Sequence, residues 1–199
     1  MNKLTIIGAS GHGKVVADIA KLTGYTDIEF LDDDENLKTC MGYPVVGHSE
    51  AIPTNGDVFV AIGNSMIRKR ITEQCGNIKK PILIHPKAIV ADNVEIGEGT
   101  VIMAGAVINS GAKIGCGVIV NTSSSIDHDC MIGDYAHISV GAHLAGSVVI
   151  GEGTWIGIGG IVSNNVSICC NSLIGAGAVV IANIDEPGTY IGIPARRKK

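Results

Sequence analysis

Every sixth residue from Ile84 to Val180 is aliphatic: the series runs Ile84, Val90, Ile96, Ile102 and onward through Ile168, Ile174 and Val180, seventeen positions without a slip. Four residues further on, each hexad carries a compact residue, as in Ala88, Thr100, Ala106, Ser124, Cys130, Ala136, Gly160 and Ala178. Glycine is frequent directly after the aliphatic position, at Gly97, Gly115, Gly133, Gly151, Gly157 and Gly175. No helix has a period of six, whereas a parallel β-helix does, one hexad per face and three hexads per triangular coil. Seventeen hexads make a little under six coils, with no long loop between them. The composition suits a narrow prism: 46% of residues are hydrophobic, only 4% are aromatic, and 27 are glycine. Two geometric consequences follow. Positions three hexads apart stack in adjacent coils at ~4.8 Å, and positions one and a half hexads apart lie on opposite sides of the prism.

The first eighty residues do not follow the hexad. LTIIGASGHGKVVADIAKLTGY reads as a strand, a glycine-rich turn with exposed N–H groups at Gly8, Gly11 and Gly13, and a helix with Val15, Val16, Ile19, Ala20 and Leu22 as its apolar stripe. IEFLDDD predicts a second strand ending in Asp32 and Asp33, and DVFVAIGNSMIRKRITEQC a third strand, a Gly63-Asn64 turn and a second helix. This alternation predicts a Rossmann-like α/β unit over residues 1–80, followed by an all-β parallel β-helix over residues 84–199. Ligands of such sheets bind at the carboxyl ends of the strands, where the Gly8–Gly13 loop, Asp32, Asp33 and Gly63 fall. The glycine spacing is G-x-x-G-x-G rather than the dinucleotide G-x-G-x-x-G, and the unit is half a dinucleotide fold, which favours a mononucleotide or nucleotide sugar over NAD.

The formal net charge is −4, and no basic run precedes the last four residues, which argues against nucleic acid as a partner. No apolar run approaches a membrane span, and the N-terminal apolar run is too short for a signal-peptide core, so a cytoplasmic protein is expected. The six cysteines show no C-x-x-C spacing and read as reduced and free.

NTSSSIDHDCMIGDYAHISVGAH concentrates His128, His137 and His143 in an aliphatic setting, with Asp127 and Asp129 flanking His128. His128 and His137 are one and a half hexads apart and His137 and His143 a single hexad apart, so no two of them can share a ligand within one chain. A metal site inside one chain is therefore not expected. A site between subunits stays open, as do a general base with its carboxylate and a plain surface histidine. Gly146, three hexads on from His128, stacks on it and offers an unhindered backbone N–H as an oxyanion donor. Asp127 reads as a turn residue stacked on Asn109, His143 as a surface residue, Cys130 as core, and Trp155 as stacked on His137. The tail Arg196, Arg197, Lys198 and Lys199 reads as a solvated end.

GASGHGKVVADIA, FLDDD, AIGN, NTSSSIDHDC and GIPARR together resemble the bacterial nucleotide-sugar acyltransferase family, which includes bacillosamine-pathway UDP-4-amino-sugar N-acetyltransferases and sialic-acid O-acetyltransferases. The resemblance spans nearly the whole chain. It implies a left-handed parallel β-helix, a homotrimer, acetyl-CoA in the groove between prisms and a UDP-amino sugar on the N-terminal domain. By the same resemblance His128 is the catalytic base and Asp129 the carboxylate that supports it, with the departure that the bacillosamine-type enzymes carry glutamate at that place. His137, Ile158 and Ala176 correspond to acetyl-CoA contacts, and Ser10, Gly11, His12, Asp32, Asp33 and Gly63 to nucleotide-sugar positions.

The leading expectation is acetyl-CoA-dependent N-acetylation of a UDP-linked amino sugar. O-acetylation of a sialic acid or related sugar uses the same base. A zinc-dependent hydratase on the same solenoid, with histidines gathered at a chain boundary, and a non-catalytic nucleotide-sugar sensor are the readings from other classes.

Overall fold

The computed structural model describes residues 2–198. The N-terminal unit runs β1 (Lys3–Ile7), α1 (Gly11–Leu22), β2 (Asp27–Leu31), β3 (Thr39–Cys40), β4 (Tyr43–Gly47), β5 (Asp57–Val60) and α2 (Ser65–Gln74). Its sheet has the order β3-β4-β2-β1-β5, parallel throughout except that β3 pairs antiparallel with β4. The β3–β4 hairpin is absent from the sequence-based reading. Strand alternation sorts the core: Leu4, Ile6, Phe30 and Phe59 pack towards α1, while Ile7, Leu31, Val58 and Val60 pack with Ile71 of α2 and its C-cap Cys75. The predicted stripe of α1 holds at Val16, Ile19 and Ala20; Val15 and Leu22 are exposed.

The glycine loop is tighter than expected. Gly11 and Gly13 already belong to α1, and only Gly8 of the three has positive φ (105°). Gly13 is required for another reason, since a β-carbon there would overlap the Gly8 carbonyl oxygen. The residue lets the first turn of α1 press onto the end of β1.

From Leu83 the chain winds into a parallel β-helix of two-residue strands. Three faces alternate. The first carries Leu83–Ile84, Val101–Ile102, Ile119–Val120, His137–Ile138, Trp155–Ile156 and Leu173–Ile174. The second includes Val107–Ile108, Ser125–Ile126 and His143–Leu144, and the third Lys113–Ile114, Met131–Ile132 and Val149–Ile150. Partners lie three hexads apart, as in Ile119 with His137 and Ile138 with Ile156. The hexad aliphatics from Ile102 to Val180 form one buried core with the compact residues. Each buried aliphatic side chain contributes on the order of 1.5–3 kcal/mol. Inner threonines are satisfied in both senses: Thr154 Oγ1 donates to the Cys169 carbonyl (2.7 Å) and accepts from the Ser172 N–H (3.1 Å). Glycine after the aliphatic position answers a close approach between coils, because a β-carbon at Gly97 would sit 2.6 Å from the Cys116 nitrogen.

A second period of six emerges. Every residue from Gly99 to Gly177 in steps of six has positive φ, fourteen in all, and six of them are not glycine: Ser123, Asp129, Tyr135, Ser147, Asn165 and Asn171. Each occupies the corner turn of its hexad. A non-glycine residue held there costs about 1 kcal/mol or more.

After Val180 the strict repeat ends. Ile184 bridges to Ile168, and Thr189–Ile191 pairs with Leu173–Ile174 out of step with the three-hexad register, closing the prism with the antiparallel Arg196–Arg197 strand. The α/β unit sits on the first face: Leu83, Val101, Met103 and Ile119 join the core beneath α1. No helix among the described residues is long and apolar enough to cross a membrane.

Candidate active site

The corner between the second and third faces carries Asp127, His128, Asp129 and Cys130. Asp127 Oδ1 accepts from the His128 N–H (2.7 Å) and from Asn109 Nδ2 one coil below (2.8 Å). Asp129 takes the left-handed corner position, φ 59°, with its N–H donating to the Ser110 carbonyl at 3.1 Å. That conformation places Asp129 Oδ2 2.8 Å from His128 Nδ1. The His128 pKa is raised above its ordinary value, first by the bond to Asp129 and then by the charge of Asp127. With Nδ1–H bonded to a carboxylate, the neutral ring carries its lone pair on Nε2. The side chain is 58% exposed, so this nitrogen is open to a substrate.

Gly146 lies directly over the ring. A β-carbon there would sit 2.5 Å from His128 Nε2. The Gly146 carbonyl accepts from the Asn165 N–H (3.0 Å), while its own N–H has no acceptor among the described residues. Cys130 is fully buried with its thiol on the Ala145 carbonyl, and burial pushes its pKa up, so it is core and no nucleophile.

His137 lies on the first face, the side of the prism opposite the His128 corner. Its ring stacks on Trp155, centroids 5.1 Å apart and planes 11° apart, and Trp155 Nε1 donates to Ser139 Oγ (2.6 Å). The Asn121 amide is oriented by the Thr122 N–H, which donates to Oδ1 (2.8 Å), so Nδ2 donates to His137 Nε2 (3.2 Å). The neutral ring therefore carries its proton on Nδ1. That nitrogen is buried and has no partner among the described residues, and the same holds for His12 Nε2. Desolvation, then the Arg68 charge, then His12 push the His137 pKa down to about 3; desolvation and Arg68 bring His12 to about 4. The α/β unit thus brings His12 and Arg68 near enough for their charges to act on His137.

Ile158 (62% exposed) and Ala176 are surface residues one coil apart at the corner after the first face, continuing an apolar column from Val140 and bordered by half-exposed Trp155 and Leu173. Ser10 caps α1 without a side-chain hydrogen bond, which leaves its hydroxyl free of the helix. Gly63 is open, and its carbonyl accepts from Arg68.

Asp32 and Asp33 stand at the end of β2, but their carboxylates are already engaged. Asp32 Oδ2 accepts from the Ala9 N–H (2.6 Å) and Oδ1 from the Asp34 N–H (3.0 Å). Asp33 accepts from the Ser49 N–H and hydroxyl, which lower its pKa. Asp32 therefore shapes the glycine loop from inside. It also lines a cleft of about 330 Å³ with Leu37, Lys38, Val45 and His48.

Sequence reasoning missed Arg68, Asn121 and Tyr135. Asn121 had a findable trace, since it falls on the coil before that of His137, just past the stacking register. Tyr135 falls in the corner series that contains eight glycines, where a bulky aromatic is out of place. Arg68 had none, since one arginine in SMIRKRITEQ looks like its neighbours. No group of three or more His, Cys, Asp or Glu side chains among the described residues could hold a metal ion.

Residues 3–75 match the family model described as the PglD N-terminal domain. A curated relative, UDP-N-acetylbacillosamine N-acetyltransferase of Bacillus subtilis (strain 168), is 39% identical over 114 residues, 52% of this chain and 52% of the relative, so the match spans about half of that protein's length. The solved acetyltransferase domain of PglB from Neisseria gonorrhoeae FA1090 is 42% identical over 100% of both chains, TM-score 0.95; it is also solved in complex with acetyl coenzyme A. A mutant of perosamine N-acetyltransferase from Caulobacter crescentus, solved with CoA and GDP-perosamine, is 34% identical over 100% of this chain and 98% of that one, TM-score 0.96.

Proposed function

The chain belongs to the family of bacterial nucleotide-sugar acyltransferases that carry a PglD N-terminal domain, and we propose that it transfers the acetyl group of acetyl-CoA to the amino group of a UDP-linked amino sugar. The observation that carries this reading is His128, bonded through Nδ1 to Asp129, with its ring packed against Gly146, whose N–H has no acceptor among the described residues.

The amine attacks the thioester carbon and loses a proton to His128 Nε2. Asp129 holds the ring and stabilises the imidazolium that forms. The Gly146 N–H receives the developing oxyanion. Collapse of the intermediate breaks the C–S bond, and His128 returns the proton to the departing thiolate. The α/β unit, with Ser10, Gly11, His12, Asp32, Asp33 and Gly63, takes the nucleotide sugar; His137, Ile158 and Ala176 line the acetyl-CoA path.

His128 and His137 lie on opposite sides of one prism, so both serve one site only when two prisms pack side by side. The reading therefore includes a homotrimer with sites between subunits, and a cytoplasmic enzyme fed by cytoplasmic acetyl-CoA. The test is thiol release from acetyl-CoA with UDP- and GDP-linked 4-amino sugars, their hydroxyl counterparts and sialic acid, with and without chelator, alongside sedimentation. Turnover with the amino sugars by a trimer, insensitive to chelator, supports the reading. Turnover only with hydroxyl acceptors assigns O-acetylation, and nucleotide-sugar binding without thiol release leaves a sensor.

A further inference from the structure

Arg68 of α2 is 1% exposed and has no carboxylate partner among the described residues. All of its hydrogen bonds go to backbone carbonyls, and they divide between the two halves of the molecule. Nη1 donates to Ile62 and Gly63 (both 2.8 Å), in the turn after β5. Nε donates to Gly117 (2.8 Å), and Nη2 to Tyr135 (2.5 Å) and more weakly to Ala136 (3.5 Å), all on the solenoid. Only the planar five-donor fork of arginine can reach carbonyls in so many directions from one point.

The residues it grips matter. Gly63 belongs to the open turn at the carboxyl edge of the sheet. Tyr135 and Ala136 immediately precede His137. Tyr135 occupies a left-handed corner, φ 57°, a conformation a bulky residue keeps only when its surroundings impose it. Its ring fits against Gly117, where a β-carbon would lie 2.6 Å from the ring.

We propose that Arg68 is a positioning residue that holds the two substrate sites in one register, clamping the Gly63 turn of the α/β unit to the Tyr135–His137 segment of the solenoid. The inference rests on the acetyltransferase reading for which site takes which substrate; the clamp itself is independent of it. Its positive charge has a second effect. The groups facing His137 are His12 from α1, Arg68 from α2, and Asn121 and Trp155 from neighbouring coils. With no carboxylate among these, burial first and the Arg68 charge second hold the ring neutral, while the Asn121 amide fixes its single donor at Nδ1.

The experiment compares the full chain with Arg68→Lys, which keeps one donating nitrogen and loses the fork, and Arg68→Met, which loses every donor. Lys69→Met is the control: Lys69 makes the neighbouring tie between α2 and the solenoid, 2.6 Å to Glu152, and has no part in either site. Thermal melts, the Kd of CoA alone and of UDP alone, and kcat and KM for both substrates are read on each. For Arg68→Lys, both Kd values should stay within about 3-fold while kcat falls about 10–100-fold, the loss expected of reactants held out of register; Lys69→Met should keep kcat within about 2-fold. A kcat for Arg68→Lys within about 2-fold of wild type overturns the proposal, as does an equal loss in Lys69→Met. Nitrogen NMR of the histidine rings decides it without turnover. In the wild type His137 should remain neutral and Nδ1-protonated down to pH 5, and in Arg68→Met its titration midpoint should rise. A wild-type ring that charges near pH 6.5, or no change in Arg68→Met, overturns it even where the wild type acetylates no sugar, a result that would count against the function alone. If neither variant folds, the Arg68 guanidinium protons of the wild type still decide: exchange as fast as in free arginine overturns the clamp.

Discussion

Gly146 lies one coil from His128, and a β-carbon on Gly146 would sit 2.5 Å from the imidazole Nε2. Its backbone is not in the left-handed region, so alanine meets no conformational barrier there, only the ring. Gly146→Ala should therefore displace the candidate base and crowd the oxyanion site together. We expect kcat to fall about 10²–10³-fold, the usual loss for an oxyanion donor, with little change in melting temperature. Wild-type kcat would remove Gly146 from the site.

His128→Ala should lower kcat by ~10²–10⁴-fold with the affinities of both substrates nearly unchanged, because the proton is transferred in the transition state. With an amine acceptor, raising the pH should restore part of the rate, since more of the amine is already neutral. A hydroxyl acceptor should show no such recovery. The pH–rate profile of the variant thus reads the acceptor class as well as the base.

Asp129→Asn removes the first cause of the raised His128 pKa. A base must be deprotonated to act, so kcat/KM rises with pH through the His128 pKa in the free enzyme. In the variant this acid limb should move to lower pH, with a lower plateau because the imidazolium loses its support. An acid limb at the wild-type position would mean that another group titrates there.

Asp32→Ala frees the Ala9 N–H and lets the loop between β1 and α1 relax. The KM of the nucleotide sugar should rise about tenfold or more, as for losing a charge-assisted hydrogen bond of ~1.5–3 kcal/mol, while that of acetyl-CoA stays put. Separate titrations of each substrate decide; a change confined to acetyl-CoA would reverse the assignment of the two sites.

His12 and His137 are depressed to about 4 and about 3 in the folded chain. The unfolded chain binds protons at these rings from about pH 6.5 downward while the folded chain does not. Their contribution to stability is therefore present above about pH 6.5 and is lost as pH falls towards 4. The melting temperature should drop over that window, and less so in a His12→Asn/His137→Asn double variant. The lowered carboxylates Asp33 and Asp127 act below it. Equal slopes in both proteins would place these rings in water.

The solenoid is written in the chain because each hexad packs chiefly on the hexads one coil before and one coil after it. A contact at fixed separation, repeated along the whole prism, leaves a period in the sequence: Ile84 to Val180 for the core, Gly99 to Gly177 for the corners. The stacking of Gly146 on His128 and of Trp155 on His137 follows from the same arithmetic, and the strand-loop-helix start of the α/β unit is equally local. The β3–β4 hairpin left a weaker trace, β3 being only two residues long and β4 having no buried residue. What only the tertiary structure decided is the junction. Which face the α/β unit covers depends on Leu83, Val101 and Ile119 being apolar on the outside as well, a distinction the inward period does not carry. The grip of Arg68 on Gly117 and Tyr135, and the effect of the His12 charge on His137, join residues far apart in the chain with no repeat between them. Such contacts are fixed by packing two units together, and a sequence shows only the units.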